Sequence, residues 1–141
     1  DAPRLGLSLQ LIEVESEAAF SQAFKSIEVA RPDALYVMPS VFFFTYLARI
    51  MEFANGRKLP VVGASTDFVE AGALMSYHAN PSEQFRLAAT QAAKILEGAK
   101  PADLPVQQAS EFEMVINMKT AKALGIKIPQ SVLLRATRVI E

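Results

Sequence analysis

Three short apolar runs constrain this chain more than anything else in it: "ALYVM" at 34–38, "PVVGA" at 60–64 and "ALMSY" at 73–77. A strand with one wet face alternates apolar and polar residues, whereas a strand covered on both faces reads as continuous apolar chain. Covered strands need layers above and below, and the intervening stretches have the helical period that supplies them. Ser16 is the expected N-cap of a helix reaching Ala30, with Phe20, Ala23, Phe24 and Ile27 as its apolar stripe. A second helix is expected from Val41 to Ala54, closed by Asn55-Gly56, with Phe44, Leu47, Ala48 and Met51 facing inward. "NPSE" at 80–83 starts a third: Asn80 caps, Pro81 takes the first helical position and Glu83 sits at N3. Its expected buried face is Phe85, Ala88, Ala89, Ala92, Ile95 and Leu96, and Gly98 ends it.

Two further strands alternate. Leu7–Val14 sets Leu7, Leu9 and Leu11 against Ser8 and Gln10, and 111–117 sets Phe112, Met114 and Ile116 against Glu111 and Glu113. Ahead of the first, "APRLG" reads as the last turn of a helix closed by Gly6, the pattern of a fragment more than of a natural start. After the last, helical segments are expected at 118–124 and 130–140. The fold class is therefore α/β: a mostly parallel twisted sheet of about five strands with helices on both faces. One domain over residues 1–141 is expected, and 51% hydrophobic residues suit its core.

Composition removes several function classes. Formal net charge is −1 and no Lys/Arg block stands out, so the electrostatic footprint of a nucleic-acid binder is missing. Cysteine is absent, which excludes disulfides, thiolate metal sites and Cys nucleophiles. The longest apolar stretch, Ala34–Phe44, is too short to span a bilayer and contains Pro39.

Open α/β sheets bind ligands outside the carboxyl ends of their strands. That rule nominates the loops after Val14, Met38, Ala64 and Tyr77, whose polar and aromatic members are Ser16, Ser40, Phe42, Ser65, Thr66, Asp67, His78 and Asn80. Catalysis finds little support among them. Ser65, Asp67 and His78 have the residue types of a hydrolytic triad, but no G-x-S-x-G elbow or glycine-rich oxyanion segment accompanies them. The single histidine lacks partners at metal-ligand spacing, and Gly63 and Gly72 stand apart from any phosphate-cradling loop. Thr66 or Asp67 can cap a short helix, "FVEA", closed by Gly72, and capping is compatible with contact to a ligand. Phe42, on a different helical face from Phe44, either covers a neighbouring helix or walls a ligand crevice.

The segments "RPDALYVMPSVFFF", "LPVVGASTDFVEAGALMSY", "AAKILEGAKPADLPV", "EFEMVINMKTAKALGIKIP" and "LLRATRVIE" together resemble the substrate-binding proteins of ABC transporters, a family that includes tryptophan and phenylalanine binders. The likeness runs from about Leu5 to the C-terminus. It implies a flavodoxin-like lobe of a type I periplasmic-binding fold, here the C-terminal lobe, without its first strand and helix. It also implies no cofactor, a small-molecule solute such as an amino acid, a membrane permease as partner, and a periplasmic or extracytoplasmic place. Exposed edges left by the missing strand imply a homodimer or swapped assembly. Ser40, Ser65, Thr66, Asp67, Tyr77 and Asn80 are the implied hydrogen-bonding residues and Phe42 the apolar contact. Val41 stands where amino-acid-binding relatives carry Asp, and His78 replaces a usual glycine. A sensory or regulatory module with the same fold is the alternative function.

Overall fold

The structure is a computed structural model that describes residues 2–141. It falls into two compact units, one up to Asp33 and one covering Ala34–Glu141. The first unit begins with a 3-10 turn, Ala2–Leu5, closed by Gly6 at φ 70°, as the sequence led us to expect. Its helix α1 (Ala19–Ala30) starts three residues after Ser16, with Ala18 at the N-cap and no side-chain cap bond. Phe20, Ala23 and Ile27 are its buried residues, matching the expected stripe.

The second unit holds the sheet. In chain order it runs β1 (Leu35–Tyr36), α2 (Val41–Thr45), α3 (Leu47–Gly56), β2 (Val61–Gly63), α4 (Thr66–Glu70) and β3 (Met75–Ala79). There follow α5 (Pro81–Leu96), β4 (Phe112–Asn117), α6 (Met118–Leu124), α7 (Gln130–Leu133) and β5 (Arg138–Ile140). The five strands lie side by side in sequence order. All pairs are parallel except β3–β4, where Met75 faces Ile116 and His78 faces Glu113. The expected mostly parallel, five-stranded α/β sheet is what forms.

One sheet face is closed by α4, whose Phe68 and Val69 are fully buried. Beneath it lie Val61, Gly63, Ser76 and Val115, which share that face by strand register. Asn117 fastens the layers: its Nδ2 donates to the Val69 carbonyl at 3.1 Å and its Oδ1 caps α6 by accepting from Thr120 N at 3.0 Å. The opposite face carries Tyr36, Tyr77 and Phe112 at 50–62% exposure.

Four expectations need correction. Leu7–Val14 takes no place in the sheet, and Leu7, Leu9 and Leu11 are exposed; alternation makes a strand only where a ladder partner exists. The fifth strand is instead Arg138–Ile140, inside the segment expected to be helical. Thr137, Val139 and Ile140 are β-branched, and Thr137 N donates to the Met114 carbonyl at 2.8 Å. The helix expected over 41–54 is broken at Tyr46 (φ −103°, ψ 18°), which resets its phase. Ile50, Phe53 and Ala54 are therefore buried beside the expected Met51, while Phe44 and Ala48 are exposed. Last, the apolar face of α5 is open: Phe85 is 77% and Leu96 89% exposed, and Glu83 is the one buried residue of this helix.

Candidate functional site

The carboxyl ends of β1, β2 and β3 lie at one edge of the sheet, because these strands are parallel. Antiparallel β4 brings its amino end to the same edge, so Phe112 pairs with Ala79 and Glu113 with His78. Four stretches meet there: Ser40–Phe42, Ser65–Asp67, His78–Asn80 and Glu111–Glu113.

Each stretch is positioned by local chemistry. Ser40 is the N-cap of α2, its extended backbone (φ −159°) letting Oγ accept from Phe42 N at 3.2 Å. Phe42 is half-buried and packs its ring on Tyr46, 4.9 Å away, and on Phe43. Phe44 meets Phe68 at 5.7 Å, so the aromatic helix after β1 braces the helix after β2. Gly63 allows the close approach of α4 to β2, since a Cβ there would run into Phe68.

The polar loop after β2 is not a helix cap. Ser65 holds the N-cap position of α4 but makes no side-chain cap bond; its Oγ donates to Asp67 Oδ2 at 3.1 Å. Thr66 Oγ1 lies 3.4 Å from His78 Nε2. The His78 ring is held on its other side by the Ala79 carbonyl, 3.1 Å from Nδ1. Ser65 and Asp67 thus pair with each other while His78 pairs with Thr66, and no Ser–His–Asp relay is assembled.

Asn80 does two things. Its Oδ1 accepts from Glu83 N at 3.0 Å, the expected cap of α5, and its Nδ2 donates to Glu113 Oε1 at 2.8 Å. Behind it, the buried Glu83 carboxylate accepts from Glu111 N at 2.8 Å, the Ser110 hydroxyl at 2.7 Å and Ser110 N at 3.0 Å. These bonds, led by that of Glu111, hold its carboxyl below the ordinary glutamate value, and burial opposes them less strongly. Glu83 thereby latches the connector before β4 onto the first turn of α5.

The structure brings together Ser40, Phe42, Ser65, Thr66, Asp67 and Asn80 at one edge. Tyr77 stands on the other sheet face, half exposed and stacked on Phe112 at 5.4 Å with planes 11° apart. Glu113 was missed from the sequence, where alternation made it a solvent-facing residue; only strand register places it beside His78. Ser16 belongs to the first unit. A separate cleft of about 500 Å³ lies between α5 and the connector, lined by Leu87, Ala88, Gln91, Ile95, Leu104 and Pro105 among others. Its open, apolar walls suit packing of further chain better than capture of a small polar solute.

The fold is that of a periplasmic-binding protein domain. The chain superposes on the ABC domain of Streptococcus pneumonia solved with L-Trp, with a TM-score of 0.88 and 30% identity over 99% of this chain and 47% of that one. It superposes similarly on a conserved domain protein from Vibrio cholerae, with a TM-score of 0.86 and 33% identity over 98% of this chain and 46% of that one. A tyrosine-binding protein of Clostridioides difficile is 28% identical over 114 residues, 81% of this chain and 33% of the relative. Residues 1–140 match the family described as ABC transporter substrate binding protein, and the chain belongs to that family. It spans about half the length of the solved relatives and a third of the curated one.

Proposed function

We propose that this chain is the C-terminal ligand-binding lobe of the solute receptor of an ABC import system, acting outside the cytoplasm and delivering its ligand to a membrane permease. The observation that carries the reading is the convergence of three polar loops on one sheet edge, tied together by Thr66, His78, Glu113 and Asn80. Relatives that bind L-Trp and tyrosine favour an amino acid with an aromatic side chain. Ser40, Ser65, Thr66, Asp67 and Asn80 then contact its polar groups, the Phe42–Tyr46 pair forms an apolar wall, and Tyr77 contributes from the opposite face of the sheet. No bond is made or broken; a ligand works by shifting an open–closed equilibrium between two lobes.

Calorimetric titration of the full-length gene product with L-tryptophan and L-tyrosine should give micromolar or tighter binding, and silence with every aromatic amino acid would overturn the reading. The 141-residue chain alone offers half a cleft and should bind far more weakly. The open apolar face of α5 and the edge strand β1 favour association of this chain into a homodimer or swapped assembly. Light scattering that shows a monomer at high concentration would remove that part.

A further inference from the structure

His78 is the single histidine of the chain, and its two ring nitrogens have different jobs. Nδ1 lies 3.1 Å from the Ala79 carbonyl oxygen. A carbonyl only accepts, so in the neutral ring the proton sits on Nδ1 and Nε2 keeps its lone pair. Nε2 meets the Thr66 hydroxyl in a long hydrogen bond of 3.4 Å, while Glu113 Oε2, at 4.0 Å, is out of hydrogen-bond reach. Thr66 is therefore the donor in that pair. Its proton is committed to the ring, and what its oxygen can still offer a ligand is acceptance.

The same accounting holds along the edge. The Ser65 proton goes to Asp67 Oδ2 and an Asn80 amide proton goes to Glu113 Oε1. Asp67 and Glu113, as carboxylates, only accept. Neither Ser65–Asp67, His78–Asn80 nor Glu111–Glu113 contains a Lys or Arg. Ser40 differs: its oxygen accepts from Phe42 N, so its proton is not used in that bond. The side chains in the middle of the edge are rich in acceptors and the Ser40 end is not.

We propose that His78 sets the hydrogen-bonding polarity of this edge, holding Thr66 as an acceptor so that Thr66 and Glu113 receive an N–H donor of the ligand, above all a primary ammonium, and disfavour a carboxylate or phosphate oxygen. The inference rests on the solute-binding reading above and deepens it by naming which ligand group goes where.

Two measurements separate its fate from that of the reading. Nitrogen NMR of the imidazole in alkaline buffer, on the 141-residue chain where His78 needs no assignment, should show a protonated Nδ1 and a bare Nε2. An Nε2–H ring overturns the inference whatever the protein binds. Calorimetry on the full-length gene product then compares tyramine, which has the ammonium without the carboxylate, with p-hydroxyphenylpropionate, which has the reverse. Tyramine should bind tighter by about tenfold or more, the cost of one mismatched polar contact. Equal or reversed affinities, and binding of neither probe, overturn the inference, while solute binding itself stands or falls by the L-tryptophan and L-tyrosine titration. In His78→Phe the preference should shrink to about threefold or less, a small part of one contact, and an unchanged preference refutes the role of His78. If that variant does not fold, Thr66→Val, which keeps the shape and removes the hydroxyl, is read in the same way.

Discussion

Replacing Gly63 by alanine tests how closely α4 is laid on β2. Gly63 ends β2 in a buried position, and a Cβ on it would run into Phe68 Cβ, with Phe68 Cγ at 2.6 Å and Cδ2 at 3.2 Å. Carbon atoms rest about 3.5–4.0 Å apart, so α4 must withdraw by about 1 Å. Turning the ring cannot relieve this, because Cβ does not move with χ1. Phe68 is fully buried and its ring is backed by Phe44, so the helix has to move as a unit. Overpacking of this kind costs about 1–3 kcal/mol, and a clash with a Cβ belongs at the upper end, about 3 kcal/mol. For a chain of 141 residues that lowers Tm by about 10 °C, taking about 3–4 °C per kcal/mol. Urea titration should show a lower midpoint at unchanged slope. Withdrawal also stretches the Thr66–His78 contact, already 3.4 Å, so solute affinity should fall in the same variant. A Gly63→Ala protein within about 0.5 kcal/mol of the parent would refute the packing argument.

Glu83→Gln should lower the urea midpoint at neutral pH and flatten its acid dependence. The folded state holds the Glu83 carboxyl below its ordinary value, so its stabilisation is complete above the ordinary glutamate value. It is lost as pH falls through the lowered folded value, and equal acid slopes in parent and variant would contradict it. Asn117→Ala removes the cap of α6 and one of two bonds to the Val69 carbonyl, which keeps Gly72 N at 3.1 Å, a loss of about 1–2 kcal/mol by urea titration; a loss near zero would show that neither bond matters. Ser76 is fully buried with no hydrogen-bond partner for its Oγ among the described residues, so Ser76→Ala should leave the urea midpoint equal or higher. A marked fall would reveal a partner for that hydroxyl.

Legibility in the sequence followed how local each determinant is. β2 and β3 were readable as short apolar runs, although Tyr77 leaves one face of β3 more open than such a run predicts, and the cap of α5 was readable because Asn80, Pro81 and Glu83 carry it within four residues. Leu7–Val14 shows the opposite case: its alternation is genuine, but a ladder partner is not a property of the segment itself. The end of the chain failed for a related reason. "LLRATRVI" has helical and extended readings of similar strength, and pairing of Thr137 and β5 with β4 decides between them. On α5 the apolar stripe is present in sequence, and only the structure shows that it stays exposed among the described residues.

At the edge, the residue types were legible and their pairing was not. Ser65, Asp67 and His78 have the residue types of one relay without its motif, and twofold strand periodicity and the β2–β3 register turn His78 toward Thr66. Glu113 lies thirty-three residues after Asn80 and reaches it only through antiparallel pairing. That contact gives Asn80 its consequence. The same side chain caps α5 and holds Glu113, which faces His78 across the strand pair. Glu83, three residues on, pins the start of α5 to the connector that leads into β4. A shift of the first turn of α5 must therefore either break the Asn80–Glu113 bond or carry Glu113 with it. The exposed apolar helix and the polar edge are two ends of one mechanical unit.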